Sequence, residues 1–493
     1  MSADAPLTRR WIPWVLMVLV AMAAAVVRLT DLDARPMHAD EANQAVKLGA
    51  LLEKGEYRFD PQDHHGPTLY YFALVPAWLS GERSLAALTE TTVRLTPVLF
   101  GIAGVMLLAA VGAPLGWPAA IMAAALAAFA PAAVYYSRYF IQETLLVTFG
   151  LAAWFCAARA CQTRRATWAL AAGAFVGLMQ ASKASAPVFI LAAFAAWLIV
   201  RPRAASRKVA DGENTGRSMR LLAWGLSGFA VMFVGFYSSF FTHFEGLKDA
   251  LGTYAVMTTR VAGQGEAHDK AWWYYADLFW WHRRGGVLWD QTLFLGLAAA
   301  GVVASLFLTD RFARGVSLYL GIVAVVLSAT PYKTPWIVIH LIPPMAILAA
   351  WLLSRVAVHR IAKVPAGLVF LLCLGLLARQ TLLGVFRYSS SERNPLAYVH
   401  SSPDVKKVPA LAERARPGPV KVISEEYWPL PWYLRDRKEV GYWSTIPDDC
   451  DASLLFVSAD YAEAVKDRLK GRYRQGYLGL RPGFVMVTLM AEP

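Results

Sequence analysis

A chain of 493 residues that is 57% hydrophobic and only 17% charged, with a mean hydropathy of +0.40, cannot be a soluble globule and reads as a polytopic membrane protein. The formal net charge of +13 does not point to nucleic acid, because Lys and Arg gather between apolar segments, as they do in cytoplasmic loops. Cys156, Cys161, Cys373 and Cys450 fall mostly in apolar runs without paired short spacing, which suggests neither a disulfide framework nor a zinc ribbon.

A short polar head carrying Arg9 and Arg10 leads into the apolar run Trp11 to Val27, about the length that spans a bilayer. Its Ala-rich end would suit a signal peptide, but its length and the many later spans favour an uncleaved first helix. Further spans are expected at Thr91 to Val111, Trp117 to Tyr135, Glu143 to Cys161, Trp168 to Gln180, Ala186 to Val200 and Leu221 to Phe241. Four more follow at Val287 to Leu308, Val316 to Thr330, Trp336 to Leu353 and Val364 to Phe386. The expected fold is therefore mainly α, a helical bundle of about eleven transmembrane helices.

Threaded from a cytoplasmic amino terminus, these spans bring the basic loops at Arg159-Arg164-Arg165, Arg201 to Arg220, Arg311-Arg314 and Arg355-Arg360-Lys363 to one side. The opposite, outward side receives residues 31–90, the turn Tyr136 to Gln142, the loop Thr242 to Gly286, Pro331 to Pro335 and the last hundred or so residues.

The outward segments hold the unusual residues. Asp40 and Glu41 are adjacent carboxylates close to a membrane boundary, where ionisable groups are costly unless they serve a purpose. They also suit the first turn of a helix starting at Ala42, so capping is an equal reading. Asp60 to Tyr71 is a polar, Pro/Gly-broken stretch leading into an amphipathic or re-entrant segment, with Pro67 a natural first-turn residue.

The turn Tyr135 to Glu143 carries Arg138, whose planar fork suits a phosphate and which is equally placed for a salt bridge to Glu143. Lys183 and Lys333 stand at two more outward helix ends and complete the phosphate-ligand candidates, although Lys183 also suits a snorkelling ammonium. His65, Tyr139, Glu143 and Tyr332 are candidate substrate contacts on the same face. For most of the aromatics, including Trp272 to Tyr275 and Trp336, an interfacial belt is the simpler reading. The adjacent His64 and His65 point different ways on most backbones and make a poor metal pair.

Past Phe386 the polar residues return, and residues 390–493 are long enough for a small domain. Val420 to Ser424, Ser453 to Ser458 and Gly483 to Met490 read as strands and Tyr461 to Leu469 as a helix, giving an α/β domain outside the membrane. Residues 1–389 are then the transmembrane domain, with 31–90 its reactive loop. Trp428 and Trp432, in the turn after Glu425-Glu426, suit either sugar stacking or docking onto the membrane part, of which docking is the simpler.

The Asp-Glu pair in the first outward loop, His65-Gly-Pro-x-x-Tyr-Tyr entering the next segment and Arg138-Tyr-Phe-x-x-Glu between later helices together resemble the GT-C membrane glycosyltransferases that take sugars from polyprenyl-phosphate carriers. That group includes protein O-mannosyltransferases and aminoarabinose transferases. His38-Ala-Asp-Glu-Ala-Asn-Gln, Thr330-Pro-Tyr-Lys-Thr-Pro-Trp and Trp428-Pro-Leu-Pro-Trp-Tyr-Leu more narrowly resemble the prokaryotic flippase activity-associated branch. The resemblance implies a hexosyl- or pentosyltransferase of the cell envelope, multi-pass in the inner membrane with its active site on the outer face. Its partners would be a polyprenyl-phosphate sugar and a glycan, lipid or protein acceptor, with no nucleic acid.

It also implies that Asp40 is the acid-base residue or acceptor anchor, with Glu41 its catalytic neighbour, and that Arg138 or Lys183 takes the carrier phosphate. Members of the wider group hold a divalent cation near this loop, but the sequence offers no ligand set for one. The chemistry is consistent: breaking a sugar-phosphate bond needs a cation at the leaving phosphate and a carboxylate at the acceptor hydroxyl. No Walker-type phosphate loop is present. The rival readings are a transporter or flippase for lipid-linked sugars and an accessory protein without chemistry; neither an internal repeat nor ionisable residues along a transbilayer path support the former.

Overall fold

The computed structural model describes residues 11–62, 65–201, 211–261, 268–415 and 417–492; Asp63, His64 and most of the basic run after Arg201 lie outside the described residues. Helix α1 (Ile12–Leu29) opens with a proline in its first turn, where the missing N–H costs nothing. Its Trp14, Val18, Met22 and Val26 face outward for lipid while Met17, Ala24 and Arg28 pack inward. Helix α2 (Ala39–Lys54) carries a capping box, in which the His38 ring accepts from Asp40 N–H and Glu41 reaches back to the His38 N–H, and it stops at Gly55 in the left-handed region (φ 69°).

Helices α3 (Thr68–Leu79) and α4 (Glu90–Gly112) follow, then α5 (Trp117–Phe129) and α6 (Pro131–Ser137), bent by 60° where Pro131 removes a donor. Helices α7 (Glu143–Thr163), α8 (Ala166–Gln180), α9 (Ala186–Val200) and α10 (Asp211–Tyr237) pack beside them. A Cβ on Gly173 would lie 1.7 Å from the Gly225 carbonyl oxygen and one on Gly228 2.1 Å from that of Leu170, so α8 and α10 cross through small residues.

Next come α11 (Glu245–Val261), the single turn α12 (Tyr274–Asp277), a hairpin of β1 (His282–Arg284) and β2 (Val287–Trp289), and then α13 (Thr292–Phe307) and α14 (Arg311–Ala329). Residues 335–356, a 3-10 turn running into α15 (Ile342–Val356), form the most enclosed span, with 78% of its apolar window buried. Helix α16 (Arg360–Leu382) closes the bundle.

Each expected span falls on a helix, but seven of these are long and apolar enough to cross a membrane alone, or eight with the bent α5–α6 pair. The other three, α8, α9 and α13, have 15, 15 and 16 residues. One boundary is corrected. The expected span from Val287 begins only at Thr292, because residues 287–289 pair in the hairpin and the Asp290 carboxylate accepts from the Thr292 N–H and hydroxyl at 2.9 and 2.5 Å.

The carboxy-terminal unit is a five-stranded sheet built from β3 (Val420–Ile423), β4 (Val440–Trp443), β5 (Leu454–Ser458), β6 (Tyr473–Arg481) and β7 (Phe484–Ala491) in the order β4-β3-β5-β7-β6. Strands β4, β3 and β5 run parallel; β7 is antiparallel to β5 and β6. β3 and β5 are buried throughout; β5 opens with the apolar run Leu454 to Val457, while in β3 the buried Lys421 interrupts the apolar residues and pairs with Asp449. The edge strands β4 and β6 were not expected from the sequence: β4 is only four half-buried residues containing a glycine, and the partly exposed β6 carries Arg474 and Gln475. The expected helix Tyr461 to Leu469 is shorter, Ala462–Lys466. The sheet unit docks on the bundle through Tyr433 Oη, which accepts from Met37 N at 2.9 Å, and through Trp432 Nε1, which donates to Glu90 at 2.9 Å; Trp432 is thus a docking residue.

Candidate active site

The loop between α1 and α2 is held by three buried arginines. Arg94, fully enclosed, donates to the carbonyls of Leu32 and Arg35 at 2.8 and 2.9 Å and to the Glu41 carboxylate at 2.9 and 3.1 Å. Arg138 donates to the carbonyls of Arg28, Thr30 and Asp31 at 2.9, 2.6 and 2.8 Å, capping the end of α1. Arg35 pairs with Glu41 at 2.7 Å and lies 3.5 Å over the Tyr139 ring.

Glu41 has no exposed surface and also accepts from the N–H groups of His38 and Phe140 at 3.0 Å each. Burial alone would push its carboxyl up; the charges of Arg35 and then Arg94 outweigh this and hold it down at about 2. Every acceptor direction of Glu41 is used, so its role is to hold the loop. Asp40, the next residue back, is turned about 100° away on the helix, and its side chain is 41% exposed.

Aromatic rings stand beside it. His38 is 5.8 Å from the Tyr139 ring and 6.0 Å from that of Trp336, and its Nε2 lies 3.0 Å from the Tyr398 carbonyl. Trp336 is in turn 5.9 Å from Tyr398 and 6.3 Å from Tyr136. Tyr398 Oη is 2.5 Å from His268 Nδ1, and the His268 ring is 4.8 Å from Tyr332. Burial, followed by the neighbouring Tyr332 and Asp40, pushes the Tyr398 phenol up to about 12. Asp40, Tyr332, Tyr398 and Trp336 therefore share one neighbourhood assembled from three distant parts of the chain.

Across Tyr136 and Trp336 lies an ion pair between Lys183 and Glu143, the lysine side chain 15% exposed and the glutamate nearly enclosed. His65 forms an isolated antiparallel bridge with Lys183, Gly66 N–H donates to Ser182 O at 3.0 Å and Thr68 Oγ1 meets Ser182 Oγ at 2.7 Å. At Gly66 a Cβ would fall 2.0 Å from the Ala181 carbonyl oxygen, so only glycine allows this approach.

The sequence-derived candidates thus separate. Asp40 and Tyr332 meet around Tyr398 and His268, while Lys183, Glu143 and His65 form a second cluster. Tyr139 is buried in the wall of the first, its hydroxyl 2.8 Å from that of Tyr135. Arg138 is committed to backbone carbonyls and makes no pair with Glu143. Lys333 is 1% exposed and donates to the carbonyls of Thr330 and Lys270. Neither presents a free fork or ammonium to a phosphate.

Among the described residues no three His, Cys, Asp or Glu side chains converge as a metal ion needs; Asp63 and His64 lie outside that set. Sequence reasoning missed Arg35 and Arg94 as the clamps of Glu41. An arginine inside the apolar segment at 91–111 was the available signal. It also missed Tyr398, which no local pattern marks.

A family model described as dolichyl-phosphate-mannose-protein mannosyltransferase matches residues 69–212. No curated protein matches in sequence. Among solved structures, ArnT from Cupriavidus metallidurans bound to undecaprenyl phosphate is similar over 98% of this chain and 100% of its own, with a TM-score of 0.67 at 16% identity. The archaeal oligosaccharyltransferase AglB from Archaeoglobus fulgidus, in complex with an inhibitory peptide and a dolichol-phosphate, is similar over 87% of this chain and 64% of its own, with a TM-score of 0.57 at 12% identity. The arabinofuranosyltransferase AftD from Mycobacteria is similar over 99% of this chain and 40% of its own, with a TM-score of 0.51 at 16% identity. Together with the arginine-clamped loop and the apolar helices, these likenesses mark the chain as a membrane protein with the fold of the GT-C glycosyltransferases, whose residues 69–212 carry the sequence pattern of the dolichyl-phosphate-mannose-protein mannosyltransferase family.

Proposed function

We propose that the protein transfers a sugar from a polyprenyl-phosphate carrier to an acceptor hydroxyl, at the outer face of the cytoplasmic membrane. The observation that carries this reading is the split of one carboxylate pair: Glu41 is sealed in an arginine clamp while Asp40, held by that clamp, stays accessible beside an aromatic wall. The lipid phosphates bound by ArnT and AglB support the class of donor.

In the proposed reaction the acceptor oxygen attacks the anomeric carbon while Asp40 takes the hydroxyl proton. The bond from the anomeric carbon to the phosphate oxygen breaks, and its electron pair leaves on the polyprenyl phosphate. Lys183 offsets the charge gathering on that phosphate, aided by a Glu143 that keeps the ammonium in place. Trp336 and Tyr398 offer flat faces for a sugar, with Tyr332 joined to Tyr398 through His268 and His65 bridged to Lys183.

Asp40→Asn, nearly isosteric, tests this. Purified variant in liposomes with a panel of polyprenyl-phosphate sugars should lose about 10²–10⁴-fold of transfer while keeping its thermal stability. Full transfer by this variant would remove Asp40 from the chemistry, and passage of lipid-linked sugar across the bilayer with no transfer product would favour a flippase.

A further inference from the structure

A small, mostly enclosed cavity lies between the turn that follows α1 and the end of α16. It holds about 50 Å³ and is lined by Asp31, Ala34, Arg35, Arg138, Phe386 and Ser389, among others. That is several times the roughly 10–15 Å³ that admits one water and far below the about 300–1,000 Å³ of small-ligand sites. It fits one polar group of a ligand, not a whole sugar.

Its walls are more cationic than the protein itself neutralises. Arg28, Arg35, Arg94 and Arg138 are all buried, and among the described residues Glu41 is the sole buried carboxylate that meets any of them. The carbonyls bound by Arg35 and Arg138 satisfy donors but carry no net charge. Burial, then the charges of Arg35 and Arg94, pushes the Arg138 guanidinium down to about 10 against the opposing pull of Asp31. No complete fork is left, yet among the described residues neither the Arg35 nor the Arg138 Nε–H meets an acceptor. Ser389 accepts from Tyr135 Oη through its carbonyl at 2.6 Å, and its hydroxyl has no partner among the described residues. Asp31 likewise gives its carbonyl to Arg138 at 2.8 Å, and its exposed carboxylate makes no ion pair at contact distance among those residues.

The cavity stands at the carboxy-terminal ends of two apolar spans, Ile12–Leu29 and Arg360–Arg387, and therefore at the level of lipid head groups. Just inside, Val26 and Leu29 of α1 and Leu382 of α16 are exposed and apolar. Both helices pack on α5 and α6 rather than on each other, so lipid chains reach the gap between them. Tyr135, a further lining residue, accepts from Tyr139 Oη at 2.8 Å, and the Tyr139 ring is 5.8 Å from His38. Two rings thus separate the cavity from the candidate active site, and a donor whose phosphate sat here would hold its sugar away from Asp40.

We infer that the cavity seats the head group of one membrane aminophospholipid, its phosphodiester on Arg35, Arg138 and the Ser389 hydroxyl and its ammonium on Asp31. A phosphate alone would be repelled by Asp31; an ammonium on the same head group turns that carboxylate into a ligand. Through Arg35, which also binds Glu41, such a lipid braces the loop that carries Asp40.

The test is native mass spectrometry of the full-length protein released from detergent, beside thermal unfolding in the same detergent. The probes are dioleoyl phosphatidylethanolamine, dioleoyl phosphatidylglycerol, dioleoylglycerol and free phosphoethanolamine. Phosphatidylethanolamine should bind as a single copy, at least about tenfold more tightly than the other three, and raise the unfolding temperature. Asp31→Asn should lower its affinity about tenfold, to that of phosphatidylglycerol. Ala34→Leu, at an exposed turn position, fills the seat and should weaken both phospholipids at a parental lipid-free unfolding temperature. Dioleoylglycerol binding as tightly as phosphatidylethanolamine, or parental binding by Ala34→Leu, overturns the phosphate seat. Equal binding of phosphatidylglycerol, or an Asp31→Asn variant of parental affinity, overturns the ammonium assignment, and equal binding of free phosphoethanolamine overturns the lipid. Displacement of the bound lipid by polyprenyl phosphate would give the cavity to the donor instead. An active Asp40→Asn protein would leave these titrations unchanged, so failure of the transfer reading is distinguishable from failure of this one.

Discussion

Replacing Glu41 by Gln should destabilise the protein before it affects chemistry. The carboxylate takes two hydrogen bonds from Arg94, one charged contact from Arg35 and two backbone N–H groups, all between 2.7 and 3.1 Å. Gln keeps the shape, but it turns an amide N–H toward these donors and leaves two buried guanidinium groups uncompensated. Breaking a buried ion pair from one side costs about 3–5 kcal/mol. The depression of the Glu41 carboxyl from 4.5 to about 2 gives a similar figure, about 3 kcal/mol, each tenfold change in proton affinity being worth about 1.4 kcal/mol.

Because the folded value is lowered, this stabilisation is complete above about pH 4.5 and is lost as pH falls through about 2. Unfolding in mixed micelles, followed by tryptophan fluorescence from pH 7 to 2, should therefore show the parent losing stability below about pH 5, while the Gln variant starts about 3 kcal/mol lower and varies less over that range. A Gln variant as stable as the parent at pH 7 but inactive would refute this and return Glu41 to the reaction.

Three further outcomes are expected. Arg138→Lys keeps a charge but cannot span the carbonyls of Arg28, Thr30 and Asp31 together, so it should lower stability by about 1–3 kcal/mol, with donor KM unchanged; a raised donor KM at parental stability would restore a phosphate role. Gly66→Ala should displace the 181–183 turn and with it Lys183, seen as loss of donor use and increased proteolysis near residue 66; parental donor kinetics would deny the link between this turn and the site. In intact cells, cysteines introduced at Gln62 and Glu463 should react with an impermeant reagent and one at Gly212 should not; the reverse pattern would invert the proposed orientation.

What the sequence made legible is the part governed by local pattern. The spans declare themselves by apolar length, and His38, Glu41 and Gly55 bracket α2 with ordinary helix signals. The adjacency of Asp40 and Glu41 marked the loop, and helical geometry requires them to diverge. Which of the two faces inward was decided by Arg94, 53 residues on, and such non-local pairing leaves no periodic trace. Arg138 illustrates the converse error: a guanidinium at a helix mouth looks available for phosphate until the free carbonyls of α1 are brought beside it. Tyr398 reaches His38 across 360 residues, beyond any window in which spacing carries information.

The brevity of α8 and α9 has a consequence for the surrounding lipid. At 15 residues each, they rise about 22 Å, against a hydrocarbon core of about 30 Å. With Arg164 and Arg165 at one head-group plane, the Lys183 turn at the opposite end of α8 lies several ångströms below the other plane. The membrane must dimple there, or water must follow the lysine in; spin labels beside Lys183 and on the neighbouring α10 would read the difference in depth, and equal depths would exclude it. A local thin spot of this kind sinks the polar end of a long-tailed lipid toward the ammonium without pulling its chain out of the oil, and makes the protein sensitive to the thickness of the bilayer it is placed in.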